Sequence, residues 1–451
     1  MTAPARWPAG PLDPFFCLFE SPPPMACAWV LAVDGEEPDP ARLRAAVERM
    51  RREHRRAAAR LRRDAGRWVW ESVEEDVARA CLVEPPLCGP DEARAEAERV
   101  ERLMSEPLDP EVGPLVRVYW IGPGAYPGRL VIRLHHCVTD GAGSRALLRS
   151  LLDAYNGLPP APAPDETTVA GDRPPVVSEG ARGKARLFAR LVGLHARYAA
   201  RHRLAPLQKL YHPGARPAGG LRIAGRRVAA ERRQRLIASV RAASVGMPDL
   251  LIAATALAAE RALAADGRRC GVLRVLVSQN LRRGEKEPGL ENRSSAFPVW
   301  IGPRDRADGA ELVHIVHRQV WECLRTRAAE AAALFTAALR LPATLARWIL
   351  LPRATRPRVA DSLIVSWLGD LPSSEPDAGW FHLGRSRFSA ARAVVRPAEG
   401  AGAILLGVVL NGHLELTLTT LDGLFDRAEA ERYLVLVDAA VDELASALRP
   451  G

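Results

Sequence analysis

The stretch His135-His136-Cys137-Val138-Thr139-Asp140-Gly141 lies between a predicted strand and a predicted helix. The five residues before it, Leu130-Val131-Ile132-Arg133-Leu134, form a short apolar run that is typical of a strand. After it, Leu147, Leu151 and Tyr155 recur at helical spacing. An imidazole, with an ordinary pKa of about 6.5, can accept a proton from a hydroxyl or amine near neutral pH. The stretch therefore predicts an α/β unit that displays a histidine base at a strand end.

Asp140 and Gly141 give the rest of this stretch a structural interpretation. Asp140 can cap the following helix or hold a cation, and Gly141 lets the backbone turn sharply or approach a substrate. A metal site built from His135, His136 and Asp140 is a competing hypothesis. Adjacent residues of a strand point to opposite faces, so the two imidazoles cannot easily bind one ion, and we expect no metal.

Composition limits the class of protein. The chain has 451 residues, of which 48% are hydrophobic and 26% charged, which indicates a globular protein long enough for two domains. Its seven cysteines form no C-x-x-C pair, so neither a disulfide framework nor a zinc ribbon is indicated. The N-terminus lacks the apolar run of a signal peptide, and no stretch of about 20 apolar residues is present. We expect a cytoplasmic protein, at most peripheral to a membrane.

Much of the formal charge of +10 falls in a segment that has no acidic residue, positions 181–230. Such a segment attracts anions: the phosphates of coenzyme A, an acidic carrier protein or an anionic lipid surface. A solvated face without a partner explains it equally well. Leu187, Leu191 and Leu194 give the segment one apolar helical face, so peripheral membrane contact is an open alternative. No nucleic-acid-binding motif accompanies the charge, and we expect no nucleic-acid partner.

Changes in composition divide the chain into three parts. Residues 1–160 alternate predicted strands and helices, and residues 161–227 form a proline-rich and basic crossover after Pro159-Pro160. Residues 228–451 form a second α/β half, whose clearest element is a hairpin with Asn411-Gly412 at its turn. A final helix is predicted from about Arg427 to Leu448.

The His-His-x-x-x-Asp-Gly pattern resembles the signature of the acyltransferase superfamily that includes chloramphenicol acetyltransferase, peptide-synthetase condensation domains and wax ester synthase/diacylglycerol acyltransferases. Further segments resemble the wax ester synthase branch: the opening run Pro11–Glu20, the run Glu106–Pro110, Val277–Arg282, and Leu363–Gly369. This resemblance implies two chloramphenicol-acetyltransferase-like domains forming a pseudo-dimer with a tunnel between them. The apolar residues around Leu334–Leu351 are candidates for lining that tunnel, although core packing explains them equally well.

The resemblance also implies roles for individual residues. His136 matches the general base, and His135 matches a packing or orienting residue. The aspartate that matches Asp140 forms a salt bridge with an arginine, for which Arg282 is the matching position and Arg283 a competitor. The candidate substrate contacts are Asn280, Asn292, Ser366 and Asp249.

The expected reaction moves an acyl group to a hydroxyl acceptor, with acyl-CoA or acyl-phosphopantetheine as co-substrate and no bound cofactor. Two alternatives stay open. One is a carrier-protein-dependent condensation that forms an amide or ester, and the other is a non-catalytic binding platform.

Overall fold

The computed structural model describes residues 4–17, 24–73, 77–160, 180–202, 205, 207–212, 214–282, 289–338, 361–397 and 400–448. The helices within these ranges are α1 (Asp13–Cys17), α2 (Pro40–Glu53), α3 (Glu92–Ser105), α4 (Gly141–Asn156), α5 (Ala181–Arg201), α6 (Ala230–Ala242), α7 (Met247–Ala265), α8 (Gly309–Thr326), α9 (Ala328–Ala338) and α10 (Arg427–Ala447).

The strands are β1 (Arg6–Pro8), β2 (Ala26–Asp34), β3 (Ala59–Asp64), β4 (Arg67–Ser72), β5 (Cys81–Glu84), β6 (Val116–Ile121), β7 (Gly128–His135), β8 (Leu221–Val228), β9 (Leu273–Asn280), β10 (Ser294–Ile301), β11 (Leu363–Asp370), β12 (Arg387–Val395), β13 (Ala403–Leu410) and β14 (His413–Leu421). They form a five-stranded sheet in the order β12-β2-β7-β6-β5, a six-stranded sheet in the order β10-β9-β11-β13-β14-β8, and a small sheet in the order β1-β4-β3. The α/β prediction is confirmed.

Strand β12 connects the two halves of the chain. It follows β11 in the second half but pairs antiparallel with β2, from Arg387 opposite Asp34 to Val395 opposite Cys27. The five-stranded sheet, which carries the His-His strand, therefore contains an edge strand that lies more than 250 residues further along the chain than β7.

Strands β2 and β13 each bury both faces, because alternate side chains point to opposite sides of a sheet. In β2, Ala28 and Val30 belong to one hydrophobic cluster, and Trp29 and Leu31 belong to another. The first cluster contains buried residues from most of the helices of the second half, and the second contains buried residues from α2 and α4. Each cluster contains residues of both sheets, such as Val131 with Leu405 in the first and Leu134 with Leu406 in the second. The two sheets therefore share two apolar cores, and the loop after β7 begins from a strand that is buried throughout.

The predicted hairpin is confirmed. Leu410 pairs with His413, and the two turn residues between them, Asn411 and Gly412, have φ angles of 48° and 81°. A two-residue turn with positive φ at both positions matches the twist of the adjoining strands. The final helix ends at Ala447, one residue before the predicted end.

The predicted tunnel-lining run falls largely outside the described residues, which stop at 338 and resume at 361. In the described part of the chain, no single helix is long and apolar enough to span a membrane. Helices α6 and α7 together reach that length and composition, but they meet at 101°.

Candidate active site

The His-His loop is fixed by the backbone of three segments. Strand β7 lies between β2 and β6 and ends at His135, whose amide donates to the carbonyl of Leu115 at 2.9 Å. The amide of His136 donates to the carbonyl of Met25 at 2.7 Å. The first two residues of the motif therefore stay hydrogen-bonded to neighbouring segments of the chain.

The two histidines have different surroundings. His135 is fully buried, and its Nδ1 accepts a hydrogen bond from the amide of Cys137 at 3.1 Å. This contact holds the turn. His136 is half-buried.

The imidazole of His136 lies parallel to the ring of Phe16 from α1. The two ring centroids are 3.9 Å apart and the planes differ by 12°. Loss of hydration lowers the pKa of His136, and the nearby Asp140 carboxylate and the ring's own backbone carbonyl oppose this shift only in part. Nδ1 is buried and forms no hydrogen bond of normal geometry within the described residues. The ring is therefore neutral at pH 7, as a general base requires.

Asp140 is buried at the start of α4 and caps that helix. Its Oδ1 accepts from the amides of Ala142 and Gly143, both at 3.1 Å. Its Oδ2 accepts from the amide of Arg293 at 2.7 Å, and the Arg282 guanidinium donates to both oxygens at 2.8 Å. Asp140 therefore joins the loop to the second half of the chain. The competitor Arg283 lies outside the described residues.

Asn292, in the second half of the chain, also holds this loop in place. It is buried, and its Nδ2 donates to the carbonyls of His136 and Cys137 at 3.1 and 2.9 Å. The same Nδ2 lies 3.2 Å from Oδ1 of Asp13 in α1. The structure thus brings Asn292 to the backbone of the loop that carries the base, and the predicted substrate contact stays a prediction.

The remaining predicted substrate contacts have partners of their own. The Oδ1 of Asn280 accepts from the amide of Arg282 at 3.0 Å, which orients that arginine. Ser366 accepts from Ser278 at 2.7 Å. Asp249 caps α7 and lies 2.7 Å from Nδ1 of His317, and no contact between Asp249 and His136 occurs among the described residues.

Glycines allow the close approach of the loop to α4 and to the second half. A Cβ at Gly143 would lie 1.8 Å from Oγ1 of Thr139 and 3.1 Å from the carbonyl oxygen of Gly289. A Cβ at Gly141 would lie 3.0 Å from a methyl group of Leu368. The predicted Gly141 is therefore tight, and Gly143, which the sequence reasoning did not single out, is the more constrained of the two.

Cys17, His135 and Cys137 place one potential ligand atom each within 4.8 Å of one another. This group differs from the metal hypothesis weighed on the sequence. The Nδ1 of His135 accepts a backbone amide, so the neutral ring carries its proton on Nε2. A metal-binding imidazole has the opposite arrangement, in which the second nitrogen donates to an outer partner. The donor set therefore does not fit a metal well.

Sequence reasoning missed two residues at the site: Phe16, which stacks on the ring of His136, and Asp13, whose Oδ1 lies 3.2 Å from Nδ2 of Asn292. Both lie in the opening run quoted for its resemblance, but no local pattern places that run beside β7. The apolar Phe16 reads as an ordinary helix residue, and only its packing shows the contact with His136.

Residues 10–267, more than half of the chain, match the wax ester synthase/diacylglycerol acyltransferase catalytic domain. A stretch of 119 residues is 29% identical to tyrocidine synthase 3 of Brevibacillus parabrevis, and it covers 26% of this chain but only 2% of that much longer protein.

Solved structures show the same fold over nearly the whole chain. The first condensation domain of the CDA synthetase is 17% identical, with 98% of this chain and 96% of that chain covered and a TM-score of 0.72. The wax ester synthase/diacylglycerol acyltransferase of Marinobacter aquaeolei is 17% identical, with 97% and 98% covered and a TM-score of 0.59.

The chain thus shares its α/β fold with condensation domains and with a wax ester synthase/diacylglycerol acyltransferase. The chain belongs to the wax ester synthase/diacylglycerol acyltransferase catalytic-domain family.

Proposed function

We propose that the protein transfers an acyl group from a coenzyme A thioester to a hydroxyl acceptor, with His136 as the general base. The observation that carries the proposal is the state of His136: a half-buried imidazole, kept neutral by loss of hydration, at the end of a rigid strand. A positioned base of this kind contributes about 10²–10⁴-fold to the rate.

The reaction needs no covalent enzyme intermediate, because a thioester is already activated. Nδ1 lies buried, so Nε2 of His136 is the nitrogen that meets the acceptor. The hydroxyl proton passes to Nε2 as the oxygen forms a bond to the thioester carbonyl carbon. The carbon–sulfur bond then breaks, the imidazolium returns its proton to the leaving thiolate, and an ester and a free thiol result.

The surrounding residues keep this geometry rather than react. Asp140 and Arg282 fix the start of α4, and Asn292 holds the carbonyls of His136 and Cys137. The Asp140–Arg282 pair and the hydrogen bonds of Asn292 are formed by buried groups. They therefore restrict the position of the base without exposing charge to the substrate.

A thiol-release assay tests the proposal. Acyl-CoAs of increasing chain length are supplied with long-chain alcohols or diacylglycerol, and the wild type is compared with His136→Ala. His314→Ala, which removes a histidine from α8, serves as the matched control. We expect acceptor-dependent release from the wild type and the control, and a loss of about 10²-fold or more in His136→Ala.

A carrier-bound donor is the second candidate, favoured by the structural likeness to a condensation domain and by the short match to tyrocidine synthase 3. It is tested by repeating the assay with acyl groups on a phosphopantetheinylated carrier protein. Release from the carrier alone would replace the coenzyme A donor in the proposal. No release from either donor would favour a non-catalytic binding platform.

We further propose that the protein is cytoplasmic and contacts anionic membranes through α5. Arg182, Lys184, Arg186 and Arg190 are exposed on this helix, and the apolar Val192 is 51% exposed. The apolar face that the sequence predicts is not available to a bilayer, because Leu187 and Leu194 are buried. The large exposed apolar residues of the helix are Phe188 and Val192, and cationic side chains beside exposed apolar residues favour an anionic bilayer surface. Cosedimentation with phosphatidylserine vesicles, and none with phosphatidylcholine vesicles, is the expected result.

A further inference from the structure

Phe16 covers one face of the proposed base. A ring stacked at 3.9 Å with an interplanar angle of 12° contacts the π face of the imidazole and does not lie in the plane of its nitrogens. A general base uses an in-plane lone pair, so this contact restricts ring orientation without blocking proton transfer.

The position of Phe16 is fixed by Asp13, three residues earlier in α1. The buried Asp13 carboxylate accepts from the amide of Gly10 at 2.7 Å and from Nε1 of Trp70 at 3.1 Å. It also forms an ion pair with the buried Arg56 at 3.0 Å. With the contact to Asn292 described above, α1 is anchored to both halves of the site. The stacking therefore belongs to a rigid part of the structure.

The physical effect of the stack depends on the charge of the imidazole. A cation over an aromatic face is attracted by the ring quadrupole, and the attraction is larger when the pair is poorly hydrated. A neutral imidazole is attracted to the aromatic face much less strongly. The contact thus becomes stronger as His136 takes a proton, and an interaction of this kind lowers the barrier to the chemical step.

We propose that Phe16 is a positioning residue that orients the imidazole of His136 and stabilises the imidazolium formed during acyl transfer. This inference rests on the proposed function, in which His136 is the base. It adds a residue that acts on the base through its π face.

Other groups also influence the charge of His136. Asp140 favours the imidazolium and is itself paired with Arg282, and His135 disfavours the imidazolium. From α1, the groups nearest in sequence are Cys17 and the ion-paired Asp13. All of these groups are retained when only Phe16 is substituted. Differences in the pKa of His136 among the Phe16 variants are therefore due to the side chain at position 16.

The test compares Phe16→Leu, which keeps an apolar side chain but removes the π face, with Phe16→Trp, which enlarges that face. Phe15→Leu is the control, because Phe15 lies on the same helix and meets Phe16 edge-on at 5.5 Å. The imidazole signals of the ten histidines are titrated by NMR, and His136→Ala identifies the signal of His136.

We expect the pKa of His136 to fall by about half a unit or more in Phe16→Leu and to hold or rise in Phe16→Trp. The control variant Phe15→Leu should leave the pKa of His136 unchanged. In the thiol-release assay, Phe16→Leu should lower kcat roughly 2- to 30-fold with KM unchanged, and shift the acid limb of the pH profile in the same direction.

The proposal would be overturned if His136 had the same pKa in Phe16→Leu and Phe16→Trp. A change in KM without a change in kcat would also overturn it. The NMR measurement needs no turnover. If the wild type releases no thiol but the pKa of His136 shifts as expected in the Phe16 variants, the proposed function fails. The effect of Phe16 on the imidazole then still holds.

Discussion

The guanidinium of Arg282 donates to both carboxylate oxygens of Asp140, each at 2.8 Å, although 142 positions separate the two residues. Both side chains are almost completely buried, with 4% and 1% of their surface exposed. This contact joins the end of β9 to the helix that follows the histidine loop. The base is therefore held by both halves of the chain.

We expect Asp140→Ala to lower the free energy of unfolding by about 3–5 kcal/mol, because it leaves the buried guanidinium of Arg282 without its counter-charge. Urea unfolding followed by circular dichroism measures the loss. Asp34→Ala is the control: it removes an exposed pair with Arg387, half open to solvent, and should cost less than about 1 kcal/mol. Wild-type stability combined with complete loss of turnover would instead place Asp140 in the chemical step.

The pH dependence of kcat/KM follows from the lowered pKa of His136. The neutral ring is the active form, so activity should be lost only as pH falls through a pKa below the ordinary 6.5. We expect a plateau at neutral pH and an acid limb with a midpoint under 6.5. A midpoint above 6.5 would contradict a base that loss of hydration dominates.

Gly143→Ala should destabilise the protein by about 1–3 kcal/mol and reduce turnover, because the added methyl group would overlap Oγ1 of Thr139. Gly193→Ala is the matched helical control. Nothing lies within 4 Å of a Cβ at Gly193, and alanine favours the helix by about 0.5–1 kcal/mol. Thermal unfolding should therefore move in opposite directions in the two variants, and equal shifts would show that the approach at Gly143 is not tight.

Asn292→Asp replaces the donor that restrains the histidine loop with an acceptor. The new oxygen would face the carboxylate of Asp13 and two carbonyls, so we expect a loss of about 3 kcal/mol or more in stability and a fall in kcat. Asn280→Asp is the control, because its Oδ1 already acts as an acceptor for Arg282 and should change stability by less than about 0.5 kcal/mol. Similar losses in both variants, measured by urea unfolding, would show that the Nδ2 contacts of Asn292 are not what holds the loop.

The predictable elements were those whose signals are local. The apolar run before His135, the helical spacing after Gly141 and the Asn411-Gly412 turn each specify a structure within about a dozen residues. The resemblance added the pairing of Asp140 with an arginine, which is a contact no local pattern contains.

The partners of Asn292 and Asp249 were less predictable. Both residues were predicted to contact substrate, which stays a prediction. The structure shows partners that were not predicted: Asn292 binds loop carbonyls, and Asp249 caps a helix beside His317. A buried amide or carboxylate satisfies whichever donors and acceptors its packing brings near, and that choice is made in three dimensions.

The sequence by itself determined the α/β class, the strand–loop–helix unit around His136 and the hairpin of the second half, because hydrophobic periodicity and turn chemistry act over short distances. Only the tertiary structure decided that β12 completes the sheet of the first half, that Asn292 holds the carbonyls of the histidine loop, and that Phe16 lies on the imidazole. These contacts join segments far apart in the chain, and they depend on how whole sheets and helices bury their faces together.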